Sequence, residues 1–107
     1  MKKLIASGTA AAVAAGVLAI PAFAATKTIA VKDNLFAPKT TTVSKGTKVK
    51  FVWKGKQPHN VKVKKGPQKF ASPVKTSGSF TRTVKKAGTY RIVCDIHPGM
   101  EMTLKVK

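Results

Sequence analysis

Apolar and polar side chains alternate at every second position over residues 25–107, and no segment repeats with helical spacing. In the clearest run, Val49, Phe51 and Trp53 share one face, while Lys48 and Lys50 share the other. Such alternation is typical of strands with one face in a core and one in solvent. The strands predicted on this basis are 28–31, 40–43, 48–54, 60–64, 78–84, 89–94 and 102–106. Residues 34–38 are predicted to form a loop. Short strands separated by turn residues favour an all-β fold, a small antiparallel Greek-key β-sandwich.

The N-terminal segment has the pattern of a cleaved signal peptide. Lys2 and Lys3 precede an apolar, alanine-rich stretch, and Ala22-Phe23-Ala24 has the small-x-small pattern of a cleavage site. A membrane anchor is less favoured, because the stretch is rich in Ala and Gly rather than Leu and Ile. We therefore expect residues 1–24 to be removed and 25–107 to form one exported domain, in the periplasm, at the cell envelope or outside the cell. No transmembrane segment is expected after processing.

The charge of the chain is strongly one-sided. Removing Lys2 and Lys3 from the 21 basic residues leaves 19 against three acidic residues, so 25–107 carries +16. A solvated sheet face explains where the lysines lie, but ordinary surfaces mix both signs of charge. The excess predicts acidic partner proteins or an anionic cell-envelope surface. Nucleic acid is not expected, because no recognition motif is present.

The only cysteine, both histidines and a methionine form one constellation. Cys94, His97 and Met100 lie within seven residues, and His59 precedes a predicted strand upstream. Two imidazoles and a thiolate, with a weak axial thioether, are the ligands of a blue-copper site. A lone cysteine in an exported protein is unusual, and a metal bond accounts for it. Pro98 stiffens this loop and Gly99 allows a tight turn.

Each of these residues has a simpler interpretation. A lone cysteine is commonly a small buried apolar residue, and a lone histidine is more often structural than ligating. Zinc competes weakly, since structural zinc prefers a tetrahedral site without thioether. Taken together, the residues favour one type-1 copper ion.

The chain resembles the cupredoxins of the plastocyanin/azurin superfamily, in particular amicyanin-like and short-plastocyanin-like members. The resemblance rests on Cys-x-x-His-Pro-x-Met at 94–100, Pro-His-Asn at 58–60 and the strand sequence at 88–94. It extends over 25–107 and implies copper ligands with the following residue numbers: His59, Cys94, His97 and Met100. It also implies that Asn60 ties the two ligand loops together. Met102, where many relatives carry Gly, offers an alternative axial ligand, although it shares a predicted strand face with Leu104 and Val106.

The resemblance implies a one-electron carrier, with His97 and Pro98 at the site where electrons enter and leave. Its expected partners are acidic redox proteins, and the protein is expected to be a monomer. An enzyme is not expected, because both histidines are used as ligands and only three acidic residues are present. An alternative is a secreted protein that sequesters or delivers copper without a redox partner. A further alternative is a polycationic wall-binding protein in which copper is incidental.

Overall fold

A computed structural model describes residues 25–107, and the predicted signal peptide lies outside the described residues. Eight strands follow one another in the order β1 (Thr26–Lys32), β2 (Leu35–Ala37), β3 (Thr40–Val43), β4 (Lys48–Trp53), β5 (Lys62–Lys65), β6 (Ser79–Thr83), β7 (Gly88–Val93) and β8 (Glu101–Val106). Residues 25–107 contain no helix, and thus none that could cross a membrane. The all-β prediction is confirmed.

The strands form two four-stranded sheets. One has the order β2-β1-β4-β6, and the other has the order β3-β8-β7-β5. The predicted antiparallel arrangement holds for four pairings but is wrong for two, because β1–β4 and β3–β8 are parallel. Between β1 and β4, and again between β3 and β8, the chain crosses to the other sheet and comes back. As a result, β4 runs in the same direction as β1, and β8 runs in the same direction as β3. Alternation of side chains reports the buried face of a strand and not its direction.

Residues 34–38 contain a strand, where the sequence predicts a loop. A turn at Asp33 and Asn34 joins β1 to β2, and Lys32 pairs with Leu35 across it. Asn34 has φ 67°, a left-handed conformation that asparagine tolerates better than most residues. Phe36 faces inward and is fully buried. The strand is too short for alternation to be recognised, which explains the wrong prediction.

The core lies between the sheets and contains Phe51 and Trp53, the aromatic residues on the predicted buried face of β4. Phe51 is fully buried, and its ring lies 6.4 Å from the rings of Phe70 and Phe80. Met102, Leu104 and Val106 share the buried face of β8. The predicted metal-binding residues lie in the connections beside this core. His59 follows β4, and Cys94, His97 and Met100 lie between β7 and β8.

Candidate metal centre

Three hydrogen bonds hold the backbone at His59, two with a neighbouring segment and one from the last residue of β4. His59 and Lys75 exchange backbone bonds of 2.9 Å, and Trp53 Nε1 donates to the His59 carbonyl oxygen at 3.0 Å. The side chain of His59 is fully buried. The ring therefore has a fixed position inside the protein.

Cys94, His97 and Met100 lie on a short loop between β7 and β8. Cys94 N donates to the Met100 carbonyl oxygen at 3.0 Å, and Met100 N donates to the His97 carbonyl oxygen at 3.0 Å. Gly99 has φ 84°, which a side chain would disfavour, and this conformation turns the chain back toward β8. The loop is thus closed by its own backbone bonds.

Three potential ligand atoms converge between these two segments. His59 Nδ1 lies 3.1 Å from His97 Nδ1, while Cys94 Sγ lies 3.9 Å from the first and 3.5 Å from the second. The point equidistant from the three atoms is about 2.0 Å from each, close to protein zinc bonds of about 2.0–2.3 Å. One metal ion of similar size therefore fits. The donor set of two imidazoles and a thiolate is that of type-1 copper.

Met100 and Met102 are both almost fully buried, at 1% and 2% exposure. Met100 lies on the loop that carries Cys94 and His97. Met102 lies within β8, where it pairs with Ile92 and shares a face with core residues. The arrangement favours Met100 as the fourth ligand and Met102 as a packing residue.

Asn60 joins the two segments. Its Nδ2 donates to Asp95 Oδ2 at 2.8 Å, and Asp95 N donates to Asn60 Oδ1 at 2.7 Å. Asn60 is only 6% exposed, so these bonds are largely shielded from water. The paired bonds fix the distance between the residues that flank His59 and Cys94.

Sequence reasoning missed a contact between Asp33 and His59. Asp33 Oδ1 lies 2.9 Å from His59 Nε2, and the carboxylate also accepts from the backbone amides of Lys56 and Gln57. The hydrogen bond from His59, followed by those from the two amides, lowers the pKa of Asp33 from 3.8 to about 2. Asp33 is therefore ionised at neutral pH. Two features of the sequence could have drawn attention to Asp33. It is one of only three acidic residues, and it is followed by Asn34, a residue common in turns.

The two histidines differ in their access to solvent. His59 is fully buried, whereas His97 is partly exposed and is followed by exposed Pro98 and Gly99. Ile96 beside it is 46% exposed. His97 is therefore the ring of this centre that another molecule can approach.

All three acidic residues have specific contacts near the metal centre. Asp33 contacts His59, Asp95 contacts Asn60, and Glu101 accepts from Arg91 at 2.7 Å. Within 25–107, Lys62 and Arg91 are the Lys and Arg residues whose side-chain nitrogens lie within 4.0 Å of a carboxylate oxygen. The other Lys and Arg residues of the described chain leave an uncompensated positive surface.

Comparison with known proteins identifies the fold. A family model described as a cupredoxin-like domain matches residues 5–106. Comparison with curated proteins gives no match. A solved purple cupredoxin from Nitrosopumilus maritimus is similar, with 22% identity over 75% of this chain and 98% of that chain, and a TM-score of 0.68. An oxidised single-residue variant of amicyanin is similar at 21% identity over 75% of this chain and 80% of that chain, with a TM-score of 0.67.

Similarity also extends to part of a larger enzyme. The copper-containing nitrite reductase of Thermus scotoductus SA-01 is 26% identical over 83% of this chain, with a TM-score of 0.67. The chain spans only 23% of that enzyme, so the likeness concerns a part of it. The family match, the two-sheet fold and the convergence of His59, Cys94 and His97 lead to one conclusion: the chain belongs to the cupredoxin-like family and has a centre arranged for a single type-1 copper ion.

Proposed function

We propose that this protein is an exported one-electron carrier whose copper ion is held by His59, Cys94, His97 and Met100. The observation that carries the proposal is the convergence of two imidazole nitrogens and one cysteine sulfur to within 3.9 Å of one another. The bound copper would supply the Cu(I)/Cu(II) couple. The protein would hold the ligands in position, shield His59, Cys94 and Met100 from water, and provide a path for the electron to the surface through His97.

The arrangement favours electron transfer over catalysis. Both histidines and the only cysteine in the sequence belong to the metal centre, and a buried methionine stands ready as the fourth ligand. Every acidic side chain already holds a structural contact. Few groups remain to move protons or to activate a substrate. We therefore propose a carrier and not an enzyme.

Hydrogen bonds on both ligand segments limit their rearrangement. The backbone at His59 is bonded to Lys75 and Trp53, and the loop carrying Cys94 and Met100 is bonded to itself. Asn60 links the two segments. Ligands that keep their positions when the metal changes charge would reduce the reorganisation that accompanies electron transfer.

His97 and Pro98 form the proposed electron portal. The His97 ring joins the metal centre to the surface, and the residues beside it are exposed. An incoming partner would contact this small surface, as transient redox complexes do. The proposed carrier acts as a monomer.

The positive surface predicts salt-dependent reactions with anionic partners. The rate of oxidation of the reduced copper protein by hexacyanoferrate should fall at least tenfold between about 0.01 M and about 1 M salt, as the Debye length shrinks from about 30 Å to about 3 Å. Stopped-flow absorption measures this rate. A cationic cobalt complex is the matched control, and its rate should rise with salt. Equal, salt-independent rates for both oxidants would contradict electrostatic steering, and very slow oxidation would favour copper sequestration or delivery.

Export is proposed from the signal-peptide pattern of residues 1–24. When the full chain is expressed in a secreting bacterium, the exported fraction should lack the first 24 residues. Intact-mass spectrometry measures this directly. Recovery of the uncleaved chain in the membrane fraction would instead support an N-terminal anchor.

A further inference from the structure

We propose that Asp33 is a positioning residue of the metal centre, whose carboxylate orients His59 and favours Cu(II) over Cu(I). This inference rests on the proposed function, because it assumes that His59 binds copper. No motif of the sequence assigns a role to Asp33, which lies 26 positions before His59.

The hydrogen bond determines which nitrogen of His59 is free to bind a metal. An ionised carboxylate only accepts hydrogen bonds, so His59 Nε2 must donate across the 2.9 Å to Asp33 Oδ1. In a neutral imidazole, the other nitrogen then has a free electron pair. That nitrogen, Nδ1, faces Cys94 Sγ and His97 Nδ1. Because His59 is fully buried in the intact protein, its Nε2 donates to Asp33 and not to solvent.

The carboxylate itself is held in place by the fold. Asp33 belongs to the turn between β1 and β2, and parallel pairing of Val31 with Trp53 brings this turn beside the end of β4. The backbone amides of Lys56 and Gln57 then donate to the carboxylate at 2.9–3.1 Å. The acceptor therefore occupies a fixed position before any metal binds.

Gly55 leaves the space that Asp33 occupies. A Cβ atom at position 55 would lie 2.6 Å from Asp33 Cγ and 2.8 Å from Asp33 N, both closer than real Cβ atoms come. The segment can therefore wrap around the carboxylate only with glycine at this position. The Asp33 carboxylate therefore occupies a close-fitting binding position, which is formed by Gly55, the two backbone amides and His59.

The negative charge has an electronic consequence for the metal. A carboxylate that accepts from the outer nitrogen of a ligating histidine raises the basicity of the inner nitrogen. The more basic ligand and the nearby charge both stabilise the ion of higher charge. Asp95 and Glu101 contact Asn60 and Arg91 instead of a ligand ring, so Asp33 is the carboxylate that acts on His59.

A purely structural role for Asp33 makes a different prediction. An acidic residue that only anchors the turn to residues 56 and 57 would affect the stability of the fold. It would weaken binding of Cu(I) and Cu(II) by similar factors, and the reduction potential would stay unchanged. The ratio of the two affinities therefore separates positioning from anchoring.

The test compares Asp33→Asn with Glu101→Gln in the copper-loaded protein. Asn at 33 can keep an oxygen at the position of Oδ1 while removing the charge. We expect the Cu(II)/Cu(I) affinity ratio to fall about tenfold, which corresponds to a rise in potential of about 59 mV by voltammetry. Glu101→Gln removes the same charge beside Met100 without contact to a ligand, and it should give a clearly smaller shift. Equal shifts in the two variants would overturn the proposal.

A second measurement uses the metal-free protein and Asp33→Ala. Nitrogen-15 NMR should show His59 of the unmodified protein protonated at Nε2, with a slowly exchanging proton, and Asp33→Ala should lose this protection. Unchanged tautomer and exchange in Asp33→Ala would overturn the positioning role. Absence of a redox wave in the unmodified protein would overturn the proposed function, whereas the NMR result would still decide whether Asp33 orients His59.

Discussion

Replacing Cys94 with Ala should abolish the intense blue absorption of the copper protein and its reversible redox wave. The absorption of a type-1 centre is a thiolate-to-copper transition, and Cys94 is the only cysteine in the sequence. The thioethers of Met100 and Met102 cannot replace it, since a neutral thioether does not give the thiolate-to-copper transition. Visible absorption and voltammetry after copper addition measure the loss.

Val93→Ala is the matched control for this variant. Val93 is buried beside Cys94 at the end of β7, and its truncation removes apolar volume without removing a proposed ligand. Each truncation should lower the free energy of unfolding by roughly 1–2 kcal/mol, as small losses of buried volume do. Val93→Ala should keep the blue band. Retention of the band in Cys94→Ala would contradict the assignment of the thiolate as a ligand.

Met100→Leu should change the visible spectrum and the reduction potential of the copper protein, whereas Met102→Leu should leave both unchanged. Loss of the axial thioether from Met100 should change the visible spectrum and raise the reduction potential by about 60 mV or more, a tenfold change in the affinity ratio. The reason is that an electron-donating ligand stabilises Cu(II) more than Cu(I). Leucine nearly conserves the buried volume, so stability should fall by less than about 1.5 kcal/mol in either variant.

Met102→Leu serves as the control because Met102 is equally buried but lies on the core face of β8. Its spectrum and potential should remain those of the unmodified protein. The reverse outcome, with a shifted potential in Met102→Leu alone, would show that the axial ligand is Met102.

The all-β architecture was predictable because the alternation of apolar and polar residues shows which face of each strand is buried. Strands such as β4 place Val49, Phe51 and Trp53 on one face, and the structure buries all three. The potential ligands were predictable for a different reason. Cysteine and histidine are so rare in this chain that a spacing of three positions between Cys94 and His97 favours a shared metal ion.

The parallel pairings and β2 were not predictable in the same way. Whether β4 runs with or against β1 depends on the sheet to which the intervening connection leads. Alternation in the sequence contains no information about that choice. At β2, only Phe36 of its three residues is buried, so the strand has no repeat to recognise.

The role proposed for Asp33 could not be predicted because it depends on both unpredicted features. The Asp33–Asn34 turn exists only because β2 pairs with β1, and it reaches His59 only because β1 lies parallel to β4. Two residues separated by 26 positions meet through the topology. The sequence shows one acidic residue in a basic chain, and the fold shows what the residue contacts.

The most direct test is a copper titration of the purified protein, followed by visible absorption and voltammetry. The proposed function predicts that one equivalent of copper produces an intense blue band and one reversible redox wave. A colourless complex, a stoichiometry above one, or a band that fades as Cys94 is oxidised would contradict a one-electron carrier with a single type-1 copper centre.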